Sequence, residues 1–106
     1  MASNKLIFVV TTEGNIAKAK ALGIHVLKIK LASCVSYREV ISNYWWENDL
    51  ETSNEIQILF KTRKEKLNEI LKVIALKHSY KLPELCYWEV SASAEYKNWV
   101  DEIINL

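Results

Sequence analysis

Residues 44–52 constrain the fold of this chain most, because they place the sequence Tyr-Trp-Trp beside a polar reversal. Each large aromatic ring removes on the order of 150–250 Å² from water when it is buried. Asn48 and Asp49 favour a turn, since both accept local hydrogen bonds and Asn tolerates a left-handed conformation. The segment therefore predicts a hairpin whose aromatic end contacts either the chain's own core or a neighbouring subunit. The acidic residues of the hairpin, including Glu55, are expected to form a solvated charge run.

The size and composition of the chain indicate one globular domain. Of its 106 residues, 50% are hydrophobic and 25% are charged, so a single domain over residues 1–106 can bury one core. A net charge of +1 offers no electrostatic attraction to nucleic acid or to an anionic membrane. The apolar run at 6–10 is too short to span a bilayer or to act as a signal peptide. We therefore expect a cytoplasmic protein.

Hydrophobic patterning predicts four strands and three helices. The strands are expected at 6–10, 34–46, 55–61 and 85–90. Helical spacing predicts a first helix over 15–30, a second with an apolar stripe from Leu67 to His78, and a third after Ser93.

Two local signals surround the third strand. Its apolar residues alternate, which places Ile56, Ile58 and Phe60 on one face. At its end, Thr62 and Glu65 have the spacing of a capping box, in which each side chain accepts a hydrogen bond from the other residue's backbone N–H. The second helix is therefore predicted to begin at this box.

The order of the elements predicts an α+β protein with a ferredoxin-like βαββαβ topology and an extra C-terminal helix. The four strands would form an antiparallel sheet, with a long hairpin between the second and third strands and the crossover helices on one face. One layer of helices leaves the other face bare, so that face must be polar or covered by another subunit. The aromatic hairpin favours the second arrangement.

Five segments, in order along the chain, resemble the CutA divalent-cation-tolerance proteins. They are residues 31–35 (Leu-Ala-Ser-Cys-Val, for Leu-Ala-Ala-Cys-Val in the family), 44–47 (Tyr-Trp-Trp-Glu, for Tyr-Trp-Trp-Glu-Gly), 61–62 (Lys-Thr), 78–85 (His-Ser-Tyr-Lys-Leu-Pro-Glu-Leu, for His-Pro-Tyr-x-x-Pro-Glu) and 96–100 (Tyr-Lys-Asn-Trp-Val, for Tyr-Leu-x-Trp-Ile). Their order and spacing extend the resemblance over nearly the whole chain. Asn48 stands where the family has a turn Gly, and Ser79 stands where it has Pro.

The resemblance implies a ferredoxin-like protomer in a tight homotrimer, similar to the trimer of the P-II signalling proteins, whose ligands bind between subunits. It also implies a role in tolerance of copper and other divalent metals, with no settled catalytic activity. We therefore expect a homotrimer that binds copper or another divalent ion and is not an enzyme. The alternative is a trimeric small-ligand signalling or protein-anchoring module with clefts between its subunits.

His78 and Cys34 are the candidate metal ligands. An imidazole nitrogen can bind copper or zinc, and a thiolate suits soft Cu(I). One His does not make a site, so other ligands would have to come from a cleft in the trimer. Val10 and Lys77 stand where some relatives carry a Cys and a second His, so a site built on those residues cannot be carried over whole. The competing interpretation is that His78 bonds a carbonyl at a helix end and that Cys34 is a reduced, half-buried thiol.

Lys61, Tyr80 and Glu84 are the candidate ligand-binding residues, because the resemblance places them with His78 around a polar cleft. The same residues could instead form a structural network that stabilises the trimer. An enzyme that uses Cys34 as its thiol and His78 as its base is a further alternative. Against it, the sequence contains no Gly-rich phosphate loop and no nucleophile elbow.

Overall fold

The computed structural model describes residues 4–104, which form a four-stranded antiparallel sheet and three α-helices. In chain order the elements are β1 (Lys5–Glu13), α1 (Ile16–Lys28), β2 (Cys34–Trp46), β3 (Asp49–Thr62), α2 (Leu67–Lys77), β4 (Cys86–Ser91) and α3 (Ala94–Ile103). The strand order β2-β3-β1-β4 confirms the predicted ferredoxin-like topology. β1 and β3 are longer than predicted, because their polar ends continue the backbone pairing between strands. No helix within residues 4–104 has the length and apolar character needed to cross a bilayer.

The main hydrophobic core lies between the sheet and the helices α1 and α2. Directly paired residues of antiparallel strands point to the same face, so Val9 of β1 lies beside Phe60 of β3. The predicted alternation in β3 is confirmed, since Ile56, Ile58 and Phe60 are all buried in this core. α2 adds Ile74, which is fully buried. The two crossover helices therefore pack on the predicted face of the sheet.

The third helix packs on the opposite face. Leu6 pairs directly with Val90, and both lie against Val100 and Ile104 in a second, smaller apolar cluster. Leu6 reaches this face because successive residues of a strand alternate between the two faces. The second face is therefore partly covered by the chain itself, and not bare as predicted.

The predicted capping box at the start of α2 does not form. Thr62 is the last residue of β3, and its buried hydroxyl donates to the Leu31 carbonyl over 2.7 Å. Residues Lys64–Lys66 form a 3-10 turn before the helix, and its N-cap residue, Arg63, makes no side-chain capping bond. The Glu65 carboxylate instead accepts from Arg63 Nε over 3.0 Å. The strand extends one residue too far for Thr62 to cap the helix.

The hairpin between β2 and β3 turns at Glu47 and Asn48, one residue earlier than predicted. Both have left-handed φ angles, of 50° and 69°, as a two-residue type I′ turn requires. Asp49 is already in the sheet, where it pairs with Trp46. Because β1 ends opposite Ile56, the hairpin beyond that residue extends past the rest of the sheet.

Candidate functional site

Residues 78–85, here called the crossing segment, connect α2 to β4 across the end of β1. His78 ends α2 with an extended backbone (φ −65°, ψ 143°), and its N–H donates to the Ile74 carbonyl over 2.9 Å. The Thr11 hydroxyl donates to the Glu84 carbonyl, which secures the far end of the segment. The crossing segment is therefore bonded to β1 at both ends.

The carboxylate of Glu13 is buried where β1 meets the crossing segment, and its residue is 1% exposed. It accepts hydrogen bonds from the backbone N–H of Ser79 over 2.9 Å, from the Ser79 hydroxyl, and from the N–H of Gly14 over 3.2 Å. Burial by itself raises the pKa of Glu13, but these hydrogen bonds outweigh it, so the pKa lies below its ordinary value of 4.5. Glu13 is therefore a buried, ionised anchor for the segment.

The side chain of His78 is fully buried, and both ring nitrogens are in hydrogen bonds. Nε2 lies 2.6 Å from the Thr12 carbonyl oxygen, and Nδ1 accepts from the N–H of Tyr80 over 2.9 Å. A carbonyl can only accept, so we assign the proton to Nε2 and the ring to its neutral tautomer. A metal ion could bind His78 only by displacing Thr12 or Tyr80 from the ring.

Tyr80 connects the crossing segment to the hairpin. Its hydroxyl donates to Glu55 Oε2 over 2.7 Å, and burial together with this bond raises the pKa of Tyr80 well above its usual value. Glu55 is 8% exposed, so the prediction that it belongs to a solvated charge run is wrong. It is buried because the crossing segment covers β3 just beyond the end of β1.

A cavity of about 750 Å³, here called the hairpin cavity, lies between the hairpin and the crossing segment. Its chemically distinctive lining consists of three aromatic rings, two carboxylates and one ammonium, on Tyr44, Trp46, Tyr80, Glu55, Glu84 and Lys81. Glu55 also lines a neighbouring depression of about 780 Å³ that includes Glu39. Two of the predicted ligand-binding residues, Tyr80 and Glu84, are thus in one cavity.

Lys61 and Cys34 lie elsewhere on the sheet. They pair directly across β2 and β3, and Lys61 also pairs with Phe8, with its Nζ 5.8 Å from the centre of the Phe8 ring. Phe8 and Thr12 are four residues apart on β1, which is about 13 Å along a strand. By register, Lys61 and Cys34 therefore lie level with Phe8, whereas His78 contacts the carbonyl of Thr12 further along β1.

The described residues of a single chain do not assemble a metal centre. Within residues 4–104, no group of three or more His, Cys, Asp or Glu side chains is placed to hold a metal ion. Cys34 is half-buried, Cys86 is exposed, and both are free thiols. His78 and Cys34 stay predicted ligands that a single chain does not bring together.

Sequence reasoning missed three residues of the site: Glu13, Ser79 and Glu55. Glu13 lies between the strand predicted at 6–10 and the helix predicted over 15–30, but in the structure it is the last residue of the buried strand β1. Ser79 was noted only as a departure from the family's Pro. The change from Pro to Ser indicates a hydrogen-bonding role at this position, because Pro has neither a backbone N–H nor a hydroxyl to donate.

The chain is similar in sequence to proteins of one family. The family described as "CutA1 divalent ion tolerance protein" matches residues 7–103. A divalent-cation tolerance protein CutA of Archaeoglobus fulgidus is 31% identical over 98 residues, which cover 92% of this chain and 96% of the relative. One from Thermotoga maritima is also 31% identical, over 100 residues that cover 93% of this chain and 99% of the relative.

The fold is similar to solved structures of the same family. The structure of the periplasmic divalent cation tolerance protein CutA from Archaeoglobus fulgidus matches with a TM-score of 0.91 and 30% identity, covering 94% of this chain and 99% of its own. That of CutA from Synechococcus elongatus matches with a TM-score of 0.93 and 27% identity, covering 99% and 95%. Sequence and fold agree over nearly the full length, and this chain belongs to the CutA1 divalent ion tolerance protein family.

Proposed function

We propose that this protein is a homotrimeric divalent-cation tolerance protein that binds copper or another divalent ion and catalyses no reaction of its own. The observation that carries the proposal is the match of residues 7–103 to a family described by divalent ion tolerance. The relatives from Archaeoglobus fulgidus and Thermotoga maritima carry the same description in their names.

The exposed apolar surface supports the trimer. Trp45 is 72% exposed and its cross-strand partner Leu50 is 67% exposed, far from the core of the chain. Tyr87 and Trp88 are also exposed, on the edge strand β4. Edge strands present unpaired backbone groups to a second chain, and large exposed apolar side chains are typical of interfaces. A closed, symmetric oligomer would cover both features.

We propose that the metal site lies between subunits, because one chain does not gather enough ligands. Structural and catalytic zinc sites use three or four protein ligands. Cys34, half-buried at the start of the edge strand β2, is the proposed soft ligand. His78 is the second proposed ligand, and it would exchange one of its two hydrogen bonds for the ion. This exchange offsets part of the metal–ligand energy, so we expect weak binding.

The same geometry supports a role without catalysis. A thiol nucleophile needs its base within hydrogen-bond reach, about 2.6–3.2 Å. Within one chain the register places Cys34 level with Phe8, which is four residues, or about 13 Å, along β1 from the Thr12 that His78 contacts. The two nitrogens of His78 are also already bonded. We therefore propose binding and response to metal ions as the whole activity.

Two measurements test this proposal. Light scattering after size exclusion should give three times the 12.3 kDa mass of the chain, and a monomer would contradict the trimer. Calorimetric titration with Cu(II) and with Zn(II) should show micromolar or weaker binding, reduced in Cys34→Ser and in His78→Gln. Cys86→Ser is the matched control, because it removes the exposed thiol and should leave binding unchanged. Binding that survives both ligand variants would place the site elsewhere.

A further inference from the structure

The hairpin cavity contains a buried carboxylate with one oxygen still available. Glu55 is 8% exposed, and its Oε2 accepts from the Tyr80 hydroxyl over 2.7 Å. Within residues 4–104, Oε1 accepts from no protein donor, and because no buried side-chain polar atom there lacks a partner, this oxygen is accessible to solvent and to a ligand. A buried carboxylate gains most from a cationic partner, because a charge withdrawn from water is costly unless it is paired. Glu84 adds a second carboxylate to the lining.

Three aromatic rings share this cavity with the carboxylates. Tyr44, Trp46 and Tyr80 contribute them, and the faces of such rings attract cations, Trp most strongly. The Tyr44 hydroxyl is hydrogen-bonded to Ser53 and the Tyr80 hydroxyl to Glu55, so two of the rings are held in place. Aromatic rings with carboxylates are the lining that recognises an organic ammonium ion.

The charge of the surrounding chain favours a positive ligand. Residues 39–60 contain five acidic and no basic residues, although the whole chain has a net charge of +1. Such a concentration of one sign raises the local concentration of oppositely charged ligands. Lys81 is the one basic side chain in the lining, and it is exposed, so its ammonium can extend into water.

A bare metal ion fits this cavity poorly. Ions such as zinc need three or four ligands at fixed distances, and no such group exists within residues 4–104. Aromatic rings contribute no ligand to a metal ion, whereas they stabilise an ammonium group and its hydrocarbon body. The volume of about 750 Å³ is within the range of about 300–1,000 Å³ that small-molecule sites occupy.

We infer that the hairpin cavity binds a small organic cation, an amine whose ammonium group bonds the free oxygen of Glu55 and whose apolar body packs against Trp46 and Tyr44. This site lies within one chain and does not depend on the proposed metal binding. The protein would then bind a second class of ligand, and this ligand would contact the same hairpin that we propose to form subunit contacts.

The test uses the full chain, with EDTA present to remove metal ions, and three probes that share one body. Phenethylamine is cationic at neutral pH, 2-phenylethanol is neutral and phenylacetate is anionic. Calorimetry and the NMR shift of the Trp46 indole N–H report binding. Phenethylamine should bind at least about tenfold more tightly than 2-phenylethanol, and phenylacetate should not bind.

Matched variants locate the charge that matters. Glu55→Gln keeps an acceptor for Tyr80 and removes the charge, and it should weaken phenethylamine binding by about tenfold. Glu51→Gln removes the same charge from an exposed position on the same strand and should change binding by less than about twofold. Glu84→Gln is the second variant within the cavity, should Glu55→Gln fail to fold.

Three results would contradict the binding of a small organic cation. Equal binding of the amine and the alcohol would show an apolar pocket without charge recognition and overturn the inference. An equal loss of phenethylamine binding in Glu55→Gln and Glu51→Gln would also overturn the inference, because it would show general electrostatic attraction and not a contact with Glu55. Absence of amine binding to the intact protein would also overturn the inference, and that result would leave the proposed metal binding, which is measured separately, unaffected.

Discussion

The buried carboxylate of Glu13 accepts hydrogen bonds from both the backbone N–H and the hydroxyl of Ser79, 66 residues along the chain. This pair bonds the end of β1 to the residue that follows His78. The next residue, Tyr80, carries the connection to Glu55 in the hairpin cavity. A carboxylate in the core therefore positions the aromatic and acidic groups of the candidate ligand site.

Ser79→Ala should destabilise the protein by about 1.5–3 kcal/mol, because it removes a hydrogen bond to a buried, ionised group. Urea unfolding at one fixed protein concentration measures the change, so that any association contributes equally to the two proteins compared. Ser36→Ala is the matched control. Ser36 is exposed on β2, so its loss should change the free energy of unfolding by no more than about 0.5 kcal/mol.

The loss of stability caused by Ser79→Ala should depend on pH. Glu13 has a folded-state pKa below 4.5, so its contribution is fully present above that pH and is lost as the pH falls through the folded-state pKa. Ser79→Ala removes a bond that lowers this pKa. The difference between the two proteins should therefore be largest at neutral pH and shrink below pH 4.5. A difference that stays constant on acidification would mean that the hydroxyl contributes only packing.

Leu50→Ala should weaken the proposed trimer without unfolding the protomer. Leu50 is 67% exposed, so its truncation removes little from the core of one chain, and any loss of mass must come from subunit contacts. Leu76→Ala is the matched control, because Leu76 is 81% exposed on α2 and is not part of the hairpin. Light scattering over a dilution series compares the two variants. If both variants dissociate equally, or if neither dissociates, Leu50 of the hairpin does not contribute to the proposed interface.

Gly23→Ala should destabilise the fold although Ala is the better helix former. A Cβ at Gly23, within α1, would lie 2.9 Å from Cζ of Tyr37 and still closer to its hydroxyl. Overpacking of this kind costs about 1–3 kcal/mol, more than the roughly 0.5–1 kcal/mol that Ala gains over Gly in a helix. Adding Tyr37→Phe should restore part of the loss. Gly14→Ala, whose Cβ would be 3.6 Å from Tyr80, should be nearly neutral in the same unfolding assay.

Glu47→Gly should stabilise the hairpin by about 1 kcal/mol. Glu47 has a φ of 50°, a left-handed conformation that costs residues with a side chain about 1–2 kcal/mol and costs Gly almost nothing. Glu47→Val should destabilise it, because β-branched residues tolerate positive φ least. Glu47→Gln is the control for charge and should lie within about 0.5 kcal/mol of the parent. If Gln stabilises as much as Gly, repulsion among the hairpin acids is the cause instead.

The order and topology of the elements follow from local patterns in the sequence. Alternation in β3 placed Ile56, Ile58 and Phe60 in the core, because a strand exposes and buries side chains with a period of two whatever surrounds it. The aromatic segment and the following polar residues determined that β2 and β3 form a hairpin. Its turn differs from the prediction by one residue, since pairing of Trp46 with Asp49 selects a two-residue type I′ loop.

Which polar groups are buried depends on contacts between distant parts of the chain. Thr62 and Glu65 have the spacing of a capping box. The Thr62 hydroxyl nevertheless donates its hydrogen bond to the carbonyl of Leu31, which is distant in sequence. The prediction of a solvated Glu55 failed, and Glu13 was not recognised as a site residue, because the crossing segment that covers both carboxylates arrives from another part of the chain. Local periodicity reports the hydrophobic faces of an element, whereas the partners of a buried charge are set by contacts between distant residues. The hairpin cavity likewise depends on contacts between distant residues, since its lining comes from two segments that meet only in the folded protein.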